Sequence, residues 1–286
     1  MPSSIITLTS DFGLTDGYVA AMKAAILSLG RDVTFVDISH TMPAHDISHA
    51  AFVVGTTCRY FPPGTIHLIV VDPGVGTQRA PLILQTPESI YLAPDNGVLT
   101  HVLMDYMFVS RNGLVEATKE NKFMQSVRLP VPSSCAAYNI DKDEFWRDSI
   151  SKTFHGRDIF APVVAHLANG ACPEDLGSLV EDVNYLNIPF PTWIDKSIYG
   201  KIIYIDHFGN LVSNIRSSNL IEKSVRVEIA DKSILGLSSS YADSEDCLAI
   251  IGSHGYLEIA IKERSAANIL KAQIGTEVTV HSNSTN

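Results

Sequence analysis

Through roughly its first 170 residues the chain alternates short apolar runs with segments of helical spacing, and this alternation restricts its fold more than any other feature. "SIITLTS" (4–10), "VTFVDIS" (33–39), "TIHLIVVD" (65–72), "LILQT" (82–86) and "SIYLAP" (89–94) have the length and the β-branched content of buried strands. Between and after them, "DGYVAAMKAAILSLG" (16–30) carries apolar residues at helical spacing and stops at Gly30. "ISHAAFVVGTTCRYF" (47–61) reads as a second helix, ended before Pro62-Pro63, and "RDIFAPVVAHLANG" (157–170) as a third. Strands alternating with helices predict an α/β domain with a mostly parallel sheet. Residues 117–150 are polar, lack a clear period and read as an excursion from that domain.

The texture changes after "NIPFPTWIDKS" (187–197), a proline-containing stretch that reads as a linker. Short alternating runs follow: "GKIIYID", "SVRVEIA", "CLAIIG", "YLEIAIK" and "TEVTVHS". Helical pattern is nearly absent there apart from a possible turn at 265–271. The predicted organisation is an α/β domain over 1–190 and a smaller all-β domain over 191–286.

Composition narrows the functional classes. The chain has 286 residues, of which 45% are apolar and 18% charged, enough for an ample core. No apolar run approaches the roughly 18 to 20 residues of a membrane span, so no membrane partner is expected. The first residues show no basic stretch followed by an apolar one, so no secretory signal is expected. Cys58, Cys135, Cys172 and Cys247 are scattered and form no CxxC pair. They are expected to be free thiols in a reducing cytoplasm. The net charge is −10 and no basic stripe is visible, so no nucleic-acid partner is expected. A cationic or neutral small ligand suits this balance better.

In open α/β sheets, ligands bind outside the carboxyl ends of the strands. Asp11, Asp37, Asp72, Asp95 and Asn96 all stand at such ends. Each reads equally well as a loop or helix cap, and Asp37 most of all. Asp72 is harder to assign to capping. The apolar run ahead of it is expected to be buried, and Pro73-Gly74 turns the chain directly after it. A carboxylate there loses water and needs a compensating cation, which Arg79, across the glycine-containing turn, can fold back to supply. Such a pair serves either structure or catalysis.

Three further stretches carry chemistry. In "TFHGRDIFAP" (153–162), His155 stands at a loop-to-helix junction, where an imidazole acts as a hydrogen-bond partner or a proton acceptor. A loop histidine making one backbone bond is the alternative, and it is the preferred reading for His40, His49 and His166. Arg157 and Asp158 are expected to anchor the helix start. In "YIDHFGNLVSNI" (204–215), Phe208 offers a ring to stack on a planar heterocycle, and the Asn210 amide can pair with its donor–acceptor edge. The same residues make a plain β-turn. In "IGSHGYLEIAI" (251–261), Ser253 and Glu258 flank a glycine-turned strand start that is equally a hairpin.

Taken as an ordered set, "TSDFG" with "DGYV", "VVDPGVGTQR", "APDNG", "TFHGRDIFAP", "IDHFGN" and "GSHGYLEIA" resemble the S-adenosylmethionine hydroxide adenosyltransferases, relatives of the fluorinase and chlorinase enzymes. The resemblance spans both halves of the chain. It implies an α/β domain, a β-barrel-like C-terminal domain, and a homotrimer whose active sites lie between subunits. It also implies a reaction in which water attacks C5′ of S-adenosylmethionine and releases adenosine and L-methionine. No metal or other cofactor is implied. The family's Asp-Arg-His set falls on Asp72, Arg79 and His155. Asp11 matches the carboxylate that holds the ribose hydroxyls, and Asp16 the position facing the methionine amino group. Phe154, Asp206, Phe208, Asn210, Ser253, Glu258 and the backbone near Ile261 complete the substrate contacts, mostly on the adenine side. The halide-using relatives resemble this chain less, since they lack the DPGVGxxR pattern and the fluorinase has a serine where this chain has Gly156. Two departures accompany the likeness, in that 117–150 is longer than the usual connection and His254 stands where the halide-using relatives carry an arginine.

Two other functions fit parts of the sequence. Asp11, Asp37, His40, Asp72, Asp95 and His155 are residue types that could host two hard cations in a metal-dependent phosphoesterase. A non-catalytic adenosine or S-adenosylmethionine sensor would need the binding residues alone.

Overall fold

Ile6 and Leu8 alternate with Thr7 and Thr9 along the first strand, and all four are buried, so this strand is covered on both faces. It lies inside a seven-stranded sheet. The structure, a computed structural model, describes residues 3–29, 32–107, 123–220 and 225–282. It divides into two compact units, 1–110 with 124–186, and 111–123 with 187–286.

The first unit opens with β1 (Ser4–Ser10), α1 (Tyr18–Leu27), β2 (Val33–Ser39) and α2 (Ile47–Thr57). It continues through β3 (Ile66–Val70), β4 (Pro81–Gln85), β5 (Ile90–Pro94) and α3 (Thr100–Tyr106). β6 (Ser126–Pro130) and β7 (Ala136–Asn139) follow. A π-helical turn (Gly156–Phe160) then leads into α4 (Ala161–Ala168), and α5 (Pro173–Leu176), β8 (Ser178–Val180) and β9 (Asp182–Leu186) close the unit. The sheet order is β2-β1-β3-β5-β4-β7-β8. β2, β1, β3 and β5 run parallel, while β4, β7 and β8 join through antiparallel pairings. The sheet is therefore mixed. The turn closed by Thr86 and Ser89 is too short for a crossover and forces β4 and β5 into a hairpin.

Met22 and Ile26 of α1 and Val163, Val164 and Leu167 of α4 pack on Ile6, Leu8, Leu68, Val70 and Leu92 of the sheet. On the opposite side of the strands, His67 stacks on Tyr91 and bonds Thr7, and Phe52 of α2 meets His101 of α3 edge-on. The excursion expected over 117–150 is not one where the chain is described. β7 pairs with β4 inside the main sheet, and β6 pairs with β9. Strands of four and five residues with half-polar composition leave no period to read. Residues 108–122 lie outside the described part.

The second unit contains β10 (Thr192–Ile194), β11 (Ser197–Ile205), β12 (Leu211–Arg216), β13 (Val225–Ile229) and β14 (Lys232–Leu235). β15 (Cys247–Ile251), β16 (Tyr256–Ile261), α6 (Ala266–Leu270) and β17 (Glu277–Ser282) complete it. The strands form one antiparallel sheet ordered β14-β13-β17-β11-β12-β16-β15, with β10 on β11. Ser238, just past β14, bridges Ile250 of β15, so the sheet nearly closes into a barrel. Its interior is filled by Ile202, Leu211, Ile215, Val227, Leu257, Ile259, Val278 and Val280. Among the described residues no helix is long and apolar enough to cross a membrane.

Candidate active site

β3 ends at Val70, and the chain turns at once. The Val75 amide bonds the Asp72 carbonyl, and the Thr77 amide and hydroxyl both bond the Gly74 carbonyl. Gly76 adopts a positive φ of 76°, and a Cβ there would overlap the Lys152 carbonyl oxygen, so only glycine lets this loop lie against the 151–155 segment. The two turns bring Arg79 back over Asp72. Arg79 Nε donates to Asp72 Oδ1 at 2.8 Å and Oδ2 at 2.9 Å, and Nη2 donates to Oδ2 as well. Both side chains are nearly closed to solvent. The guanidinium also lies over the Phe160 ring, 5.5 Å from its centroid.

His155 reaches the same guanidinium from the start of the π-helical turn. Its Nδ1 lies 3.1 Å from Arg79 Nη2. A guanidinium only donates, so Nδ1 accepts and the ring proton sits on Nε2. Burial, and then the neighbouring Arg79 charge, push this histidine below its ordinary pKa, against weaker opposite pulls from Asp72 and Asp158. Arg79 Nη1 is buried and has no hydrogen-bond partner among the described residues. Asp72, Arg79 and His155 thus form one connected set at the carboxyl edge of the parallel strands.

Asp11 follows β1 on that edge. Its Oδ2 accepts the His45 amide at 2.8 Å. Phe154 meets Phe12 and Tyr18 edge-on, with ring centroids 5.7 and 5.3 Å apart, and carries the Arg157 guanidinium over its ring. Phe12 and Tyr18 were not anticipated from the sequence. They flank Asp11 and the start of α1, and their place beside a strand-end carboxylate was the signal available. Asp16 is exposed in the same loop. Asn96, after β5, donates to the Val71 carbonyl at 3.0 Å and so steadies the residue before Asp72.

The other strand-end acids are engaged elsewhere. Asp37 pairs with Lys23 at 2.7 Å and lies 3.2 Å from His40 Nε2. Asp95 is buried and accepts the Asn184 backbone amide at 2.7 Å, the Asn184 side-chain amide at 3.0 Å and Arg128 at 3.3 Å, which joins β5 to β6 and β9. The edge therefore does not gather four free acids. Asp158, fully buried, accepts Arg157 at 2.6 Å and the Ser151 amide at 2.9 Å, anchoring the helix start as expected. Among the described residues no three His, Cys, Asp or Glu side chains converge as a metal site.

On the second unit, residues 206–210 form a tight turn before β12. Asp206 Oδ1 accepts the Phe208 and Asn210 amides at 2.9 and 2.8 Å, and Oδ2 accepts the Asn210 side-chain amide at 2.9 Å. The Asn210 amide expected to face a heterocycle therefore gives a donor to Asp206 and keeps its carbonyl oxygen for other partners. Phe208 is 74% exposed, a large apolar ring held out into solvent by this turn. Glu258 of β16 is buried. Its Oε1 accepts the Tyr241 hydroxyl at 2.8 Å, and its Oε2 lies 3.1 Å from His254 Nε2. Burial and the Glu258 and Asp206 charges push Tyr241 up to about 12. His254 Nδ1 accepts the Tyr256 amide, which leaves the ring proton on Nε2, aimed at Glu258. Ser253 lies in the tight connection between β15 and β16, and Ile261 is buried at the end of β16. Tyr241 escaped the sequence reading because it lies in a polar loop with no motif around it.

Comparison with known proteins bears on both units. Residues 6–177 match the model for the SAM hydroxide adenosyltransferase N-terminal domain, and residues 200–279 match that for the C-terminal domain. The chain is 30% identical to the (R)-S-adenosyl-L-methionine hydrolase of Methanocaldococcus jannaschii, covering 96% of this chain and 95% of that one. It is 31% identical to the hydrolase of the same name from Salinispora tropica, with 98% of each covered. A crystal structure of an uncharacterized conserved protein from Thermotoga maritima superposes with a TM-score of 0.80 at 29% identity, covering 97% of this chain and all of that one.

Proposed function

The chain belongs to the SAM hydroxide adenosyltransferase family, and we propose that it hydrolyses S-adenosyl-L-methionine to adenosine and L-methionine by attack of water on C5′. The observation that carries this reading is the connected Asp72–Arg79–His155 set at the carboxyl edge of the parallel strands.

The leaving group departs as a neutral thioether, so the reaction needs no general acid. Its difficulty is the nucleophile, because water is weak and hydroxide scarce near neutrality. Asp72 Oδ2 already accepts from both Nε and Nη2 of Arg79, while Oδ1 accepts from Nε alone and can take a second hydrogen bond. Asp72 therefore orients a water molecule and takes its proton as the C5′–O bond forms. The C5′–S electron pair leaves with sulfur, and the proton is released to solvent. The unpartnered Nη1 of Arg79 supplies a donor for the water oxygen as it gains negative charge. His155 accepts from Nη2 and holds the guanidinium plane in register with Asp72. Setting the water in line behind the C5′–S bond removes much of the entropic barrier. The substrate cation is neutralised in the transition state, so the closed setting of Asp72 and Arg79 favours reaction.

Asp11 binds the ribose hydroxyls and Asp16 the methionine amino group, while Phe154 walls the sugar. Asp206, Phe208, Asn210, Ser253, Glu258 and the backbone at Ile261 receive the adenine. These two sets lie on different units of the chain. In the proposed assembly, a homotrimer, neighbouring subunits contribute one set each. The reaction calls for no cofactor and runs in the cytoplasm, in keeping with four cysteines that are free of disulfides. The relatives' names carry an (R) designation, and this supports the (R) sulfonium epimer as substrate. Chiral separation of leftover substrate tests that choice: the (R) form should vanish while the (S) form persists.

Purified protein incubated with S-adenosylmethionine should release adenosine and methionine in equal amounts. Asp72→Asn should lower kcat by about 10²-fold or more, the scale of a lost general base, with KM little changed. Adenosine production by the variant at the wild-type rate would refute the assignment.

A further inference from the structure

Ser10 and His40 are both buried, at the ends of β1 and β2, where apolar side chains would cost less to bury. Ser10 Oγ lies 2.7 Å from His40 Nδ1. The parallel pairing of β1 with β2 breaks just before them: Leu8 pairs with Asp37, but Thr9 pairs with Ser39, so Ile38 is an extra residue. Bulges of this kind re-aim side chains and are frequent beside active sites. The shift sets His40 against Ser10. Three contacts then tie the segment after β2 to the segment after β1. They are the Ser10–His40 side-chain bond, the Gly13 amide on the His40 carbonyl at 2.7 Å, and the His45 amide on Asp11 at 2.8 Å. Asp37 braces the same place from outside. It holds Lys23 of α1 at 2.7 Å and lies 3.2 Å from His40 Nε2. The start of the 11–17 loop is thus pinned to the end of β2, and α1 beyond the loop is tied to Asp37 of that strand.

We propose that His40 is a positioning residue for substrate binding, acting through Ser10 and the 11–17 loop to hold Asp11 at the height the ribose requires. The inference rests on the hydrolase reading and deepens it. It makes no use of the Asp72 set, so His40 should govern KM and leave the chemical step alone. It also separates the two faces of the ring. The Ser10 side does the positioning, while the Asp37 side only braces.

Steady-state kinetics of adenosine release test this. His40→Ala should raise KM by about 10-fold and change kcat by less than about 3-fold, the pattern of lost binding without lost chemistry. His40→Asn, whose amide oxygen stands near the Nδ1 position and can accept from Ser10, should restore KM to within about 3-fold of wild type. Should the alanine variant not fold, Ser10→Ala removes only the hydroxyl and carries the same expectation. In an Asp11→Ala background, His40→Ala should add no further rise in KM, because residues that act as a unit are not additive. An unchanged KM in His40→Ala, a fall in kcat equal to the change in KM, or full additivity with Asp11→Ala overturns the inference. Absence of adenosine from the wild type, run alongside, overturns the hydrolase reading instead.

Discussion

A guanidinium donates hydrogen bonds and accepts none, and that property orders the residues around Arg79. Its fork grips Asp72, and its hydrogen bond to Nδ1 fixes the His155 tautomer. A lysine offers a point charge without the fork, so Arg79→Lys is not conservative here. It should lower kcat by about 10²-fold, the scale of a lost preorganised donor, as measured by initial rates of adenosine release. His155 gives a pH prediction. Its pKa is depressed by burial and by Arg79, so the neutral acceptor form persists below the ordinary value of about 6.5. The pH profile of kcat/KM should stay flat down to about 6.5 and fall only below it; a midpoint above that value would contradict the assignment. The Asp72–Arg79 pair was legible in the sequence because a polar residue after an apolar run, with an arginine across a glycine-containing turn, is a local pattern, whereas the place of His155 beside them came from the family resemblance. The Ser10–His40 pair was not. It depends on which residues two strands bring face to face, and a bulge that changes that pairing leaves no mark in either strand alone.

Strands and turns carry their own consequences. β1, β2, β3 and β5 could be read because each is a run of apolar or β-branched residues bounded by polar ones. β12, "LVSNIR", could not, because Ser213 and Asn214 interrupt the run although both are buried and bonded. His67 of β3 was counted simply as part of an apolar strand, yet it is fully buried between Phe61 and Tyr91, and burial pushes it down to about 4. The unfolded chain, with an ordinary value of about 6.5, binds a proton more readily than the native state between these limits. The stability that neutral His67 preserves is therefore complete above about pH 6.5 and is lost progressively as pH falls towards 4, by up to about 3 kcal/mol. Thermal unfolding from pH 7.5 to 4.5 should show a smaller acid loss for His67→Gln than for wild type; equal losses would exclude this histidine as a source. Gly209 marks the turn that presents Phe208. Its φ is 83°, and a Cβ would overlap Ser265 Oγ. Gly209→Ala should destabilise the protein by about 1 kcal/mol or more and weaken adenosine binding, checked by denaturant unfolding and calorimetry.

At the scale of the whole molecule, the proposed reacting groups and the proposed adenine contacts fall on different units. The first unit carries the acid, the guanidinium and the imidazole; the second carries an exposed ring and a buried carboxylate network beside a tight turn. The change of texture near residue 190 made a second unit legible in the sequence. The assembly proposed above predicts a mass of three chains in light scattering, and a monomer with full activity would contradict it. The central claim is that oxygen from water ends on C5′, delivered by Asp72. Hydrolysis carried out in ¹⁸O-enriched water, followed by mass spectrometry of both products, tests this most directly. The account predicts one heavy oxygen in adenosine, none in methionine, and a rate that collapses in Asp72→Asn. Unlabelled adenosine, or labelled adenosine formed equally fast by that variant, would contradict it.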